Sequence, residues 1–227
     1  DLIIRAYAVV REDIDNAAAV QQSHLPMNGR LSPSISTAWC YRPAMCVSRD
    51  HLDIFLMGDE RLVFYLLDVS GHGIAAALRS YAISHLLRPV SVLMDELCEF
   101  GPGYALERLN RQICQGNQDM DFFATLVLGY LDASSGVLQL ASAGHPPPLL
   151  LRQGSEAIEI KGVGIPLGID ETTRYSHREI HLQPTDSLLL FSDGLLYCED
   201  SAGHQFGMDQ VRKRVENHGQ LNLSELL

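Results

Sequence analysis

No stretch of this chain comes near the roughly 18 uninterrupted apolar residues of a membrane-spanning helix, which excludes such a span. The first residues, Asp1-Leu2-Ile3-Ile4-Arg5, lack the layout of a secretory signal, and there is no initiator methionine, so the chain is expected to be cut from a longer protein. Cysteine is sparse and unpaired in pattern. Cys40, Cys46, Cys98, Cys114 and Cys198 are five in number with no C-x-x-C among them, which argues against a disulfide framework or a structural zinc site. They read as reduced thiols of a cytoplasmic protein. The nine histidines are scattered along the chain. Basic residues are in deficit, 17 Lys and Arg against 28 Asp and Glu, for a formal net charge of -11. That excludes a general nucleic-acid binder and suits a site that collects cations. There is no Gly-x-x-x-x-Gly-Lys, hence no P-loop. Ser70 and Ser192 have no Gly-x-Ser-x-Gly elbow around them, hence no serine hydrolase of that kind.

What is present is a globular composition, 46% hydrophobic and 20% charged over 227 residues, with no linker-like segment or solenoid repeat. Arg11 to Leu25 reads as a helix with a modest apolar stripe at Ile14, Ala17, Ala18, Gln21 and Leu25, ended by Pro26. That stripe is placed to dock on the body or to pair with a copy of itself. Strands are expected at Ile35 to Tyr41, Leu52 to Leu56 and Arg61 to Leu67, the last two joined by the turn Gly58-Asp59-Glu60. Ala75 to Leu87 is a helix too apolar for the surface. A loop through Phe100-Gly101-Pro102-Gly103 leads to a second helix, Tyr104 to Cys114. Further strands are expected at Phe122 to Tyr130, Val137 to Ala143, Pro148 to Leu151, Ile158 to Lys161, His177 to Leu182 and Ser187 to Phe191. A last helix runs from Met208 to Asn217 and continues past Leu221. Short turns make antiparallel pairs, and the helices come as a block between two groups of strands, so the fold class is α+β. Residues 1–27 read as a helical extension and 28–227 as one domain.

Two aspartates carry most of the chemistry. Asp68 closes the apolar run Leu62 to Leu67 and opens Val69-Ser70-Gly71-His72-Gly73; Asp193 closes Leu188 to Ser192 and precedes Gly194. A carboxylate at a strand tip is held still, and glycines beside it let ligands approach. Either aspartate alone also reads as an ordinary turn starter. Asp50 and Asp53 add a third acidic group, and the hairpin from Leu52 to Leu67 brings Asp50 back beside Asp68. Three converging carboxylates repel one another and push their pKa values up. Two Mg²⁺ or Mn²⁺ ions about 4 Å apart would neutralise them and activate a bridging water. His72, between two glycines, is placed either to protonate a leaving oxygen or to cap the helix that follows. His145, between Gly144 and Pro146, reads as a structural residue of a rigid turn and only secondarily as a site residue, as does Asp53.

The order of motifs resembles the bacterial metal-dependent serine/threonine phosphatases of the PPM/PP2C superfamily, in the SpoIIE/RsbU group. The series runs from Ala19-Val20-Gln21-Gln22-Ser23-His24-Leu25-Pro26 through Tyr41-Arg42-Pro43-Ala44 and Asp68-Val69-Ser70-Gly71-His72-Gly73. It continues with Phe123-Ala124-Thr125-Leu126, Ala143-Gly144-His145-Pro146-Pro147 and Gly164-Ile165-Pro166-Leu167-Gly168, and closes with Ser192-Asp193-Gly194 and Phe206-Gly207. The resemblance implies an αββα sandwich of two antiparallel sheets with the metal site at one end. It implies that Asp68 bridges two metals with the Val69 carbonyl on one of them, that Asp50 serves the second through water and Asp193 the first, and that a bound hydroxide attacks phosphorus in line.

The departures from the group's pattern bear on the same site. Ser48-Arg49-Asp50 stands where the group has Gly-Gly-Asp, and Arg49 has the planar fork that suits a substrate phosphate. Tyr197 replaces the acidic residue expected after the Asp-Gly pair, with Glu199 two positions on. The Asp-Asp pair that supplies a further ligand in the group does not occur before Leu227. Two functional readings follow. One is a cytoplasmic phosphatase fed by an upstream receiver or sensor domain, acting on a phosphorylated protein of a sigma-factor pathway such as an anti-sigma-factor antagonist. The other is a catalytically weak binding module, an adaptor or anti-sigma partner resembling RssB.

Overall fold

The computed structural model describes residues 2–58, 60–88, 97–116 and 122–218. Its organising element is strand β4, Arg61–Val69, buried from Leu62 onward. Because successive side chains alternate across a strand, its apolar run fills two cores at once. Val63, Tyr65, Leu67 and Val69 face one side and Leu62, Phe64 and Leu66 the other. β3 (Asp50–Leu56) and β5 (Ala124–Asp132) flank it, and β6 (Val137–Ala143) and β9 (His177–His181) complete a five-stranded antiparallel sheet in the order β3-β4-β5-β6-β9. A second antiparallel sheet has the order β10-β7-β8, from Ser187–Leu189, Leu149–Leu151 and Ile158–Glu159. A small pair, β1 (Gly29–Arg30) and β2 (Ser36–Thr37), lies apart from both.

Four layers result. The helices α2 (Gly73–Leu86) and α3 (Pro102–Gly116) cover the outer face of the large sheet, through Ile83, Leu87, Ala105, Leu106, Leu109 and Ile113. Leu62, Phe64, Leu66, Val127, Leu138 and Leu140 meet Leu150 and Ile160 between the sheets. Leu149 and Phe191 point the other way, onto Val211 and Val215 of the last helix, Gly207–His218, which is α5 after the short α4, Asp193–Leu196. Burying each such Leu, Val or Phe stabilises the fold by about 1.5–3 kcal/mol before chain entropy is set against it. Gly129 is fixed by this packing: a Cβ there would lie 2.1 Å from the Phe64 ring. The arrangement is the expected α+β sandwich of antiparallel sheets flanked by helices.

Several elements differ in extent from expectation. The N-terminal helix α1 spans Leu2–Ser23 rather than starting at Arg11, and its half-buried positions are Ile14, Ala18 and Gln21, with Leu25 just beyond. The expected strand Ile35 to Tyr41 shrinks to Ser36–Thr37, because Trp39 bonds instead to Asn28 and to the Pro26 carbonyl. The expected loop at Phe100 to Gly103 reduces to Gly101; Pro102 takes the first helical position, where its missing N–H costs nothing. α2 is not fully buried: Ile74 and Leu78 face solvent at 50% and 64% exposure. Asp59 of the expected hairpin turn and the tail past Leu221 lie outside the described residues.

Candidate active site

The antiparallel register of β3 and β4 sets Asp50 opposite Asp68. Directly opposed residues share a face of the sheet. Asp68 follows Leu62, Phe64 and Leu66 in alternation, so both carboxylates lie on the face toward the second sheet, at its end. Across β5 the partner of Asp68 is Thr125. The second sheet supplies Ser192 and Asp193 from the turn after β10, where Ser192 is the N-cap of α4 and Asp193 its first residue. Ser192 Oγ donates to Asp50 Oδ2 at 2.9 Å, tying one sheet to the other. The convergence of Asp50, Asp68 and Asp193 anticipated from the hairpin is present. Asp193 reaches it from the start of a helical turn rather than from a strand end, since β10 stops at Leu189.

Arg49 stands among these acids. Its Nε lies 3.1 Å from Asp68 Oδ1 and its Nη2 donates to Asp193 Oδ1 at 3.0 Å. The backbone around it is clamped from α1. The Gln21 amide donates to the Ser48 carbonyl at 2.7 Å and accepts from the Ser48 N–H at 2.8 Å. Ser48 Oγ accepts from the Asp50 N–H at 3.0 Å, and the Arg49 carbonyl accepts from the Val69 N–H at 3.4 Å. Two side chains where glycines were expected are thus accommodated, and Ser48 is itself buried.

Electrostatics follow from burial. Asp68 is 6% exposed, and its carboxyl is pushed up to about 8, by desolvation first and the Asp50 charge second, with Arg49 pulling it back. Asp50 is raised as well, chiefly by burial, against the Ser192 hydrogen bond. Asp50 Oδ1 and Asp68 Oδ1 are buried acceptors that receive no hydrogen bond; the Arg49 Nε contact with the latter is an ion pair without hydrogen-bond alignment. Buried carboxylate oxygens without donors are costly, and a hard divalent cation is the ligand that relieves them. On the Asp50–Asp68 side the donor set therefore fits Mn²⁺ or Mg²⁺. On the Asp193 side it does not, because Arg49 holds that carboxylate. Consistently, no three acidic, His or Cys side chains among the described residues are grouped to hold one ion.

The other candidates separate. Val69 buries its side chain in the helix-side core and lies beside Asp68 through its backbone. His72 is exposed at the N-cap of α2, makes no side-chain cap there, and stands outside the contacts that join the acids. Asp53 lies on the opposite face of β3, bonded to its own strand through the Ile54 N–H. It lines a cavity of about 40 Å³ with His24, His51, Tyr65, Tyr81, Ser84 and Arg88, away from the acid cluster. His145 is buried, with Nδ1 2.9 Å from Thr125 Oγ1, and burial lowers its pKa to about 4. Ser70 exchanges bonds with the Phe123 backbone, a structural role. Gln21, Ser48, Ser192 and Thr125 were not read from the sequence as site residues. Their signal was adjacency, since each belongs to or borders a motif of the series.

Comparison with known proteins bears on the fold that carries these residues. The family profile described as Stage II sporulation protein E (SpoIIE) matches residues 58–227. Phosphoserine phosphatase RsbU of Bacillus subtilis (strain 168) is 29% identical over 212 residues, 92% of this chain and 60% of RsbU, so the chain spans less than two thirds of that relative. The SiaA-PP2C domain of Pseudomonas aeruginosa superposes with a TM-score of 0.77 at 18% identity, covering 97% of this chain and 87% of that one. The RsbU and RsbW domains of Rv1364c from Mycobacterium tuberculosis give 0.63 at 28% identity, covering 78% and 47%. The fold is PP2C-like.

Proposed function

Because the chain belongs to the Stage II sporulation protein E (SpoIIE) family, we propose that it is a metal-dependent protein phosphatase that removes phosphate from a phosphoserine or phosphothreonine of a bacterial regulatory protein. The observation that carries this reading is the set of three carboxylates from three separate elements, with buried, donor-less oxygens on Asp50 and Asp68. RsbU, described as a phosphoserine phosphatase, supports the substrate class. The sigma-factor setting, with an anti-sigma-factor antagonist as substrate, is proposed on the same likeness.

Asp50, Asp68 and the Val69 carbonyl would hold the cation. Bound there, it supplies positive charge to the phosphoryl oxygens and lowers the pKa of water, the source of most of the rate in so slow a reaction. Ser192 orients Asp50, and the Gln21–Ser48 clamp fixes the backbone from which Asp50 and Arg49 project. Arg49 keeps Asp193 against Asp68, and its fork would meet a substrate phosphate only by leaving one of those two ion pairs. His72, exposed at the rim, would donate a proton to the departing serine oxygen. His145, neutral and buried, would hold Thr125 in place beside Asp68.

Residues 1–27 are read as a connection from an upstream receiver or sensor domain. Ile3, Tyr7, Val10 and Ile14 recur at spacings of four, three and four along α1, and the first three are more than half exposed. That spacing supports pairing with a second copy. No helix among the described residues is long and apolar enough to cross a membrane, in keeping with the proposed cytoplasmic site of action.

The test is Mn²⁺-dependent hydrolysis of p-nitrophenyl phosphate with Asp68→Asn beside the natural sequence. Turnover that needs Mn²⁺ and vanishes in the variant is expected. Equal turnover in both chains removes Asp68 from the mechanism. Absence of turnover in either chain at any Mn²⁺ concentration favours the second reading, a binding module, for which the specific observation is the arginine lodged among the acids. Nothing in the comparisons singles out an RssB-like adaptor.

A further inference from the structure

We propose that this site takes a single divalent cation, on the Asp50–Asp68 side, and that Arg49 supplies from within the chain the positive charge a second ion would bring to Asp193. The inference rests on the metal-dependent reading above.

Three observations carry it. Arg49 is shared between two carboxylates, with Nε 3.1 Å from Asp68 Oδ1 and Nη2 3.0 Å from Asp193 Oδ1, so it lies where a cation bridging those residues would lie. Asp50 Oδ1 is a buried acceptor without a donor, on the carboxylate that faces Asp68 across the β3–β4 rung, and Asp68 itself is 94% buried. Finally, the backbone that carries the Arg49 side chain is fixed. Its own carbonyl is bonded to the Val69 N–H, and its neighbours are fixed by the Gln21 clamp on one side and the Ser48–Asp50 bond on the other.

Charge balance gives the same answer. Three carboxylates and one guanidinium leave a formal charge that one divalent ion cancels, whereas two such ions would leave an excess of positive charge in a partly buried pocket. A guanidinium cannot shed its proton to make room. An ion at Asp193 must therefore expel Arg49 from two ion pairs or sit against a like charge, and both routes weaken its binding. Glycine at this position would carry no such charge, and the same three aspartates would then accept a second ion.

Equilibrium dialysis with Mn²⁺, with bound metal counted per chain, tests this without reference to activity. The natural sequence is expected to hold one Mn²⁺ at saturation and Arg49→Gly to hold two, with Arg49→Lys remaining at one. Circular dichroism confirms that each variant is folded, and Arg49→Gln, which keeps bulk and loses charge, replaces Arg49→Gly should the latter not fold. Two ions in the natural sequence, or one in every folded variant lacking the charge, would overturn the proposal. No Mn²⁺ on any chain overturns it together with the metal-dependent reading. One ion on the natural sequence and two on Arg49→Gly, with no turnover of p-nitrophenyl phosphate, upholds the stoichiometry while the phosphatase reading fails.

Discussion

Two arginine–aspartate pairs in this molecule have opposite characters. Arg152 and Asp186 form a closed set: Nε donates to Oδ1 at 3.0 Å, Nη2 to Oδ2 at 2.7 Å, and the Gln183 N–H adds a third donor at 2.8 Å. The Asp186 carboxyl is held below its usual range by these bonds, chiefly those from Arg152. Asp68, just as buried, has its carboxyl pushed up, because desolvation and the Asp50 charge outweigh one misaligned arginine. A satisfied ion pair is a fastener. An unsatisfied one among like charges is, on the reading proposed above, a place where a cation would bind, and burial alone does not tell them apart.

The largest effect that separates the pairs is expected in activity. Asp68→Asn should lower Mn²⁺-dependent turnover at least about a thousandfold, the equivalent of several kcal/mol of lost charge stabilisation. Its melting temperature in chelator should rise, because a repulsive buried charge is gone. Unchanged turnover would erase the distinction drawn between the two aspartates.

Acid titration sharpens it next. His51 and His145 are both buried and titrate near 4 in the fold against an ordinary 6.5. Between those values the unfolded chain binds more protons, so their contribution is whole above about pH 6.5 and is lost as pH falls toward 4, about 3 kcal/mol for each ring. Asp68 runs the other way: with a folded pKa near 8 against 3.8, it takes up a proton on folding, and acidification from 8 toward 4 stabilises. Asp68→Asn should therefore lose melting temperature more steeply than the natural sequence between pH 6.5 and 4. Parallel curves would contradict it.

A smaller effect is expected at the clamp. Gln21→Ala removes two hydrogen bonds to the Ser48 peptide, costing about 2 kcal/mol and weakening Mn²⁺ binding about tenfold through the loosened Asp50 backbone. Calorimetric titration with Mn²⁺ measures it, and Gln21→Glu should fall between, keeping one of the two bonds. The smallest change is expected at the fastener itself. Asp186→Asn should cost about 1–3 kcal/mol and lower the melting temperature by several degrees while leaving turnover untouched.

Much of this was legible in the chain, for identifiable reasons. The apolar run Leu62 to Leu67 marked a strand, and the motif series placed Asp50, Asp68 and Asp193 together although Asp193 is far from them in sequence. What periodicity could not supply was direction. Asp50 and Asp53 look equivalent until alternation along β3 sends them to opposite faces. Nor could it supply partners across long separations: Gln21 reads as part of an apolar stripe, and its bonds to Ser48 exist only because α1 docks there. Ser192 was weighed as a nucleophile and is a hydrogen-bond donor to Asp50. Arg49 was read toward a phosphate, an anion, and in the fold the nearest anions are the chain's own.

That arginine also bears on how the chain reaches this fold. Asp50 and Asp68 meet as the closing rung of a hairpin whose strands are neighbours in sequence, so the contact has low sequence separation and can form early. A rung of two opposed carboxylates resists zipping. Here the compensating charge rides on the residue next to Asp50, so it arrives with the strand and requires no collision with a solute. The β3–β4 hairpin can thus close without waiting for a cation, and on the proposed reading the concentration of cation would set only how fully the finished site is loaded.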